Sequence, residues 1–205
     1  MDSSRKKHWE NVYEQKKPSE VSWYQVNPAV SLEFITLAKP DNAAKIIDVG
    51  GGVSVLVDEL LEKGYRDLTV LDISSRAIQY ARERLGRRAE NVCWIEADVT
   101  EYVAPYPFDL WHDRAVFHFL TDPSDRKKYV EVLQNSLKRG GHLIIAAFAI
   151  DGPTRCSGLD IEQYDAEKLQ NELGSEFLLM EEKQEVHVTP ASKEQKFGFF
   201  RFMRK

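Results

Sequence analysis

The chain of 205 residues is 42% hydrophobic and 30% charged, a balance that excludes a disordered protein and suits one domain with an ordinary core. Its formal net charge of −5 argues against nucleic-acid binding through phosphates, which asks for a basic surplus. The longest apolar run, His142 to Ile150, is too short to span a bilayer, and Cys93 and Cys156 form no CxxC pair, against a disulfide framework or zinc site.

The stretch MDSSRKKHWENVYEQKK is polar, without the apolar region of a secretion signal, and its acidic residues weaken a mitochondrial reading. A reducing cytoplasm is the expected location. Residues 5–16 read as a helix, with His8, Trp9, Val12 and Tyr13 at helical spacing and expected to pack rather than react. A proline-bounded loop, KPSEVSWYQVNP (17–28), precedes a second short helix over 28–38, stopped by Pro40. Trp23 and Tyr24 form an aromatic pair in this polar loop. They read either as part of a lid whose ring faces meet a cation or the substrate, or as packing for the first helix.

An alternation begins at Lys45: strand 45–49, helix 53–63 closed by Gly64, strand 68–73, and helix 74–85 with Ser74 or Ser75 as its N-cap. Strand 92–97, strand 108–114, helix 124–138, an RGG turn and the apolar strand 142–149 follow. Strands separated by helix-sized segments pair in parallel through crossovers, giving a doubly wound α/β sheet covered on both faces. Beyond lie the loop DGPTRCSGLD, a helix over 165–172, and two strands, 176–188 and 196–204, joined by TPASKEQ. That pair reads as an antiparallel hairpin at the sheet's edge.

The chemistry starts at Gly50, Gly51 and Gly52. A dinucleotide fingerprint needs a third glycine where Val55 stands, and a P-loop needs a lysine that is absent. Asp48, two residues ahead of the glycines, is a poor neighbour for a diphosphate but a good acceptor for an ammonium or a hydroxyl. The ligand expected is therefore a nucleoside with a zwitterionic or cationic tail. Asp72, 20 residues beyond Gly52, stands where a carboxylate accepts from ribose hydroxyls. Asp98, ending the third strand, can accept from an adenine amine.

In this order over about residues 45–150, IIDVGGGVS, VLDIS, WIEADVTEY, PYPFDLWHDRAVFHFL and LKRGGHLIIAAF resemble the motifs of class I S-adenosylmethionine-dependent methyltransferases. The resemblance implies a three-layer α/β/α sandwich with a mostly parallel seven-stranded sheet, the hairpin supplying strands six and seven. It implies S-adenosylmethionine as cofactor, S-adenosylhomocysteine as product, and methyl transfer by in-line displacement. By the family's pattern Gly50, Gly51 and Gly52 approach the methionine moiety, Asp72 with Ile73 takes the ribose, Asp98 with Val99 takes the adenine, and Asp113 lies beside the methionyl end. The fourth strand ends in HDRA rather than the N/D-P-P-Y/F of enzymes that methylate amide or adenine nitrogens. WHDRAVFHF is closer to the WDRGA-like segment of thiopurine and thiol methyltransferases.

The acidic charge and compact chain favour a small-molecule acceptor. A protein lysine is the alternative within the enzyme class, and an inactive cofactor-binding partner subunit is the reading outside it. Nucleic acid and membrane are not expected partners, and no metal is implied. His118 is a candidate general base. Asp113 and Arg114 either position substrate or pair with each other, Arg155 can meet an anionic group, and His187 can reach the pocket or end a strand. Cys156 has no histidine in its local sequence and is not expected to act as a nucleophile. The organisation expected is one domain, 1–205, with a helical lid (1–40), a cofactor-binding core (45–150) and a substrate-side segment (151–205).

Overall fold

The computed structural model describes residues 3–205, so the first two residues of the expected lid lie outside it. Helix α1 (Ser3–Gln15) and helix α2 (Ala29–Ala38) precede strand β1 (Lys45–Val49), helix α3 (Leu56–Glu62), strand β2 (Asp67–Asp72), helix α4 (Ser75–Leu85) and strand β3 (Val92–Glu96). Strand β4 (Phe108–Arg114), helix α5 (Pro123–Ser136) and strand β5 (Leu137–Phe148) complete the alternating part. The short strands β6 (Arg155–Cys156) and β7 (Leu159–Asp160), helix α6 (Ala166–Leu173), and strands β8 (Phe177–Val188) and β9 (Glu194–Arg204) follow.

The main sheet has seven strands in the order β3-β2-β1-β4-β5-β9-β8. Strands β1 to β5 run parallel, whereas β9 is antiparallel to both β5 and β8. The hairpin lies at the sheet's edge as expected, with β9 paired to β5 and β8 outermost. Two apolar layers cover the sheet. Val30, Phe34, Leu56, Leu60 and Leu85 of α2, α3 and α4 pack on one face, and Tyr129, Leu133, Leu169 and Leu173 of α5 and α6 on the other. No helix among the described residues is long and apolar enough to cross a membrane.

Helix α3 begins at Leu56 rather than at Val53, because residues 53–55 complete the glycine turn. Ser54 donates its N–H to the Gly51 carbonyl at 2.9 Å, and its hydroxyl accepts from Leu56 N at 3.1 Å. Ser74 caps α4, accepting from Ala77 N. The RGG segment does not precede the fifth strand but lies within it. Leu137 already pairs with Phe108, and Gly140 and Gly141 occupy an irregularity before His142 pairs with Leu110. The DGPTRCSGLD loop contains the β6–β7 hairpin, turned by Ser157 and Gly158, both with positive φ.

Side chains alternate between faces along a strand, and that rule separates the polar groups at the sheet's carboxyl edge. Asp48 and His112 are register partners and turn to the α2–α3 face; Asp113, one residue on, turns to the α5 face. There it is fully buried. Its Oδ2 accepts from the Tyr129 hydroxyl at 2.6 Å and from Phe117 N at 3.1 Å, and its Oδ1 from Val116 N at 2.8 Å. Trp111 Nε1 donates to the Tyr129 oxygen at 3.0 Å. Between Asp113 and these backbone donors the chain passes through Ala115 at φ +72°, a left-handed conformation that costs a non-glycine residue roughly 1–2 kcal/mol. The carboxylate bonds hold that turn closed.

Burial pushes the Asp113 pKa up to about 6, against the pull of its hydrogen bonds. Removing the Tyr129 hydroxyl takes away a bond to the ionised form, so Tyr129→Phe is expected to destabilise the fold by about 1–3 kcal/mol above pH ~7. The penalty shrinks as pH falls through about 6, where the carboxyl becomes neutral. Urea unfolding of both proteins at pH 5 and 8 measures this, and an equal penalty at both would refute it.

Candidate active site

A cleft of about 880 Å³ opens at the carboxyl edge of the sheet, over the ends of β1, β2, β3 and β4. That is where open α/β sheets hold ligands. Gly50, Asp72, Ile73, Asp98, Val99, Arg114 and His118 line it together, beside Trp23. A smaller cleft of about 530 Å³ adjoins it and is lined by Asp48, Gly50, Gly51, Trp23, Tyr24 and Arg114 among others.

Two of the glycines are required by their surroundings. Gly50 has φ +68°, and a Cβ there would lie 2.1 Å from Val116 Cγ2. At Gly52 a Cβ would lie 2.6 Å from Asp72 Oδ2 and 2.5 Å from Ala77 Cβ. The close approach lets Gly52 N donate to Asp72 Oδ2 at 3.0 Å, while Ser74 N donates to Oδ1 at 2.8 Å. Asp72 is thus aimed by two backbone donors, and burial lifts its pKa to about 6.

Asp48 is buried, with Oδ1 2.7 Å from His112 Nδ1; His112 Nε2 in turn lies 2.9 Å from Ser31 Oγ of α2. Its other oxygen, Oδ2, is buried with no hydrogen-bond partner, an open acceptor at the glycine turn. Asp98 accepts through Oδ1 from Thr100 N at 2.9 Å and from the Thr100 hydroxyl at 2.8 Å. Its Oδ2 accepts from Arg5 of α1 at 3.2 Å, and Arg5 also reaches Asp125 at 2.5 Å. Helix α1 is further held to α4 by Glu10, which accepts from Ser75 N at 2.6 Å and from the Ser75 hydroxyl at 2.9 Å.

The far end of the cleft is aromatic. The Trp9 ring meets Trp23 at 5.7 Å and Phe119 at 4.9 Å, both edge-on. Trp23 therefore both packs against α1 and lines the cleft, joining the two roles the sequence left open. His118 is fully buried between the rings of Phe119 and Phe148, at 4.5 and 4.8 Å. Its Nδ1 faces the N–H of Phe148 at 3.4 Å, and its Nε2 has no partner. Arg114 donates from Nη1 to the Trp23 carbonyl at 3.2 Å and stacks over Phe197 at 4.6 Å.

Three expectations need correction. Asp113 lines neither cleft: it turns to the opposite face, and its carboxylate is taken up by Tyr129 and the 116–117 backbone. Nor does it pair with Arg114, since consecutive strand residues point apart. Arg155 is exposed, ion-paired with Asp160 at 2.9 Å across the β6–β7 hairpin, and outside both clefts. For His187 the strand-end alternative holds: it is the penultimate residue of β8, outside both clefts, and its ring bonds the Ser22 carbonyl at 2.7 Å, pinning the loop that carries Trp23. Cys156 lines the cleft, but burial pushes its thiol pKa up, away from nucleophilic character.

Sequence reasoning missed Arg5, Phe119, Phe148, Gln195 and Phe197 as lining residues. Gln195 comes from β9, and its buried Oε1 has no partner. Nothing in its local sequence marks it, because the insertion of β9 beside β5 brings it to the cleft. Ser31 and His112 were also missed as the supports of Asp48.

The residues present fit a nucleoside with a cationic amino-acid tail: an open buried acceptor at Asp48, an aimed carboxylate at Asp72, and a glycine backbone no side chain can overhang. A family model described as a methyltransferase domain matches residues 46–141. The chain is 28% identical over 98 residues to the eEF1A lysine and N-terminal methyltransferase of Mus musculus. That match covers 48% of this chain and 14% of the relative, so the chain spans only a small part of that protein's length. Among solved structures, the N-methyltransferase NodS of Bradyrhizobium japonicum in complex with S-adenosylhomocysteine superposes with a TM-score of 0.72 at 19% identity, over 95% of this chain and 97% of that one. The 1,6-didemethyltoxoflavin-N1-methyltransferase of Burkholderia thailandensis gives a TM-score of 0.70 at 18% identity, over 98% and 84%. Residues 46–141 are thus similar to a methyltransferase domain, and the described chain has the fold of solved S-adenosylmethionine-dependent methyltransferases.

Proposed function

We propose that this protein transfers the methyl group of S-adenosylmethionine to a small-molecule acceptor held in the aromatic end of its cleft. The observation that carries this reading is the asymmetry of the cleft. Carboxylates from the ends of β2 and β3 line one end, with Asp48 of β1 beside them in the adjoining cleft, while rings and a buried cation line the other. Asp48 Oδ2 would accept from the ammonium of the methionyl tail, and Gly50 to Gly52 would let that tail approach the backbone. Asp72, beside Ile73, would accept from the ribose hydroxyls. Asp98, beside Val99, would take the adenine amine once Arg5 shares or yields Oδ2.

S-Adenosylmethionine supplies an electrophilic methyl on a cationic sulfur, and transfer to a lone pair leaves the neutral thioether S-adenosylhomocysteine. The protein's part is positional. Trp23 and its aromatic neighbours hold the acceptor and exclude water, so that its lone pair meets the methyl carbon in line with the departing sulfur. Ring faces beside the sulfonium add a cation–π attraction.

His118 does not suit the base its position first suggested. Burial, reinforced by the nearby Arg114 charge, pushes its pKa down to about 3. With Nδ1 facing a backbone donor, the neutral ring carries its hydrogen on Nε2 and offers a donor to the cleft. A protonated acceptor therefore sheds its proton to bulk solvent before it enters the cleft, not to this imidazole inside it.

A protein lysine, suggested by the murine relative, is the second reading. Its ammonium would have to enter beside the buried guanidinium of Arg114, a like-charge encounter that favours the small-molecule reading. The location in a cytoplasm remains part of this proposal.

Three measurements test the reading. Labelled methyl offered to separated metabolite, protein and RNA fractions is expected to appear in the metabolite fraction. Label in protein would replace this reading with the lysine one, and cofactor binding without turnover on any fraction would favour an inactive partner subunit. Affinity for S-adenosylhomocysteine, read by calorimetry, is expected to fall as pH drops through about 6, because the ribose needs the ionised form of Asp72. In Asp72→Asn that pH dependence should vanish and binding weaken about 10–100-fold. NMR of the His118 ring is expected to show no titration between about pH 5 and 8; a midpoint in that range would restore it as a base.

A further inference from the structure

Building on the methyl-transfer reading above, we propose that the acceptor is a small planar carboxylate, gripped by the Nε–Nη2 edge of Arg114 at the aromatic end of the cleft. An arginine presents its N–H donors in a rigid planar fork. In Arg114 Nη1 is used on the Trp23 carbonyl and the plane rests on the Phe197 ring. Nε and Nη2 are buried and bond to nothing. Among the described residues no carboxylate lies within ion-pair distance of this guanidinium. Glu185, the acid that acts on it most strongly, accepts instead from Gln25 at 3.3 and 3.4 Å.

A buried charge without a counterion costs several kcal/mol. Burial lowers the Arg114 pKa to about 10, which leaves the group charged at neutral pH. The stacking on Phe197 offsets only part of that cost. The two unused nitrogens share one edge of the guanidinium, and that edge presents parallel N–H bonds matched to the two oxygens of a carboxylate.

The surroundings define the rest of the molecule. Trp9, Trp23, Phe119 and Phe148 leave a slot suited to a flat apolar body. The orphan Gln195 Oε1 awaits a hydroxyl or amine donor on the acceptor, and His118 Nε2 awaits an acceptor atom. Sidedness separates this subsite from the cofactor's. Asp72 ends β2 and Asp98 lies two residues beyond β3, whereas Phe197 lies on β9, two strands beyond β4 in the other direction. At about 4.8 Å per strand that is roughly 10 Å of lean away from the nucleoside end.

The test loads the protein with S-adenosylhomocysteine and titrates matched carboxylate and amide probes by calorimetry: benzoate with benzamide, phenylacetate with phenylacetamide, cinnamate with cinnamamide. Wild-type protein is expected to prefer carboxylates by about tenfold or more in at least one pair. Arg114→Met should abolish the preference while leaving S-adenosylhomocysteine affinity within about threefold. Arg114→Lys, which keeps the charge and loses the fork, should retain part of the preference and serves if the methionine variant fails to fold. No carboxylate preference in any wild-type pair, or a preference that survives Arg114→Met, would overturn the proposal. So would a loss of S-adenosylhomocysteine affinity of about tenfold or more in Arg114→Met, which would assign the guanidinium to the cofactor's own carboxylate. Failure of wild-type protein to bind S-adenosylhomocysteine at all would instead remove the methyl-transfer reading, and this one with it.

Discussion

A carboxylate that never reaches the cleft organises one side of it. Asp113, buried on the α5 face, draws the N–H groups of Val116 and Phe117 back onto itself and is fixed by Tyr129. That knot forces the chain through the left-handed Ala115 and ends β4 abruptly. Three consequences follow from one turn. Arg114 is left as the last strand residue, on the face toward Phe197. Val116 is lowered onto Gly50, so that only a glycine fits there. His118 is carried into the core between two phenyl rings. A strained backbone persists where the surroundings over-determine it, and here the strain sits between the carboxylate-lined and aromatic ends of the cleft.

The two ends use opposite physics. At β1, β2 and β3 the protein presents acceptors, each oriented by a neighbour: His112 for Asp48, backbone N–H groups for Asp72, and Thr100 for Asp98. Such pre-organised acceptors recognise hydroxyls, amines and an ammonium without moving. At β4, β5 and β9 the protein presents rings and a few unsatisfied polar atoms. Here the lining offers an apolar shape with a few buried groups still open to a hydrogen bond.

The carboxylate end was legible in the sequence because its residues sit at fixed offsets from strand ends. Asp48, the glycines, Asp72 and Asp98 each follow an apolar run, and the parallel order of β1, β2 and β3 brings them to one edge. The aromatic end was not legible in the same way. Gln195 and Phe197 arrive through the insertion of β9, a register fact without a local signature. Asp113 misled for a simple reason: a one-residue step along a strand reverses the face, and only packing by Tyr129 decides which face is the interior one. Helix boundaries shifted where side chains intervened, as Ser54 does before α3, while strand cores and the Ser74 cap stood where their residues put them.

Arg5 ties the first helix to the site. It grips Asp98, at the nucleoside end, and Asp125, at the start of α5, while Trp9 of the same helix presses on Trp23 and Phe119 at the other end. One rigid element of 13 residues thus roofs both compartments. A helix is a stiff rod, so a displacement of α1 would disturb the carboxylate end and the aromatic end of the cleft together.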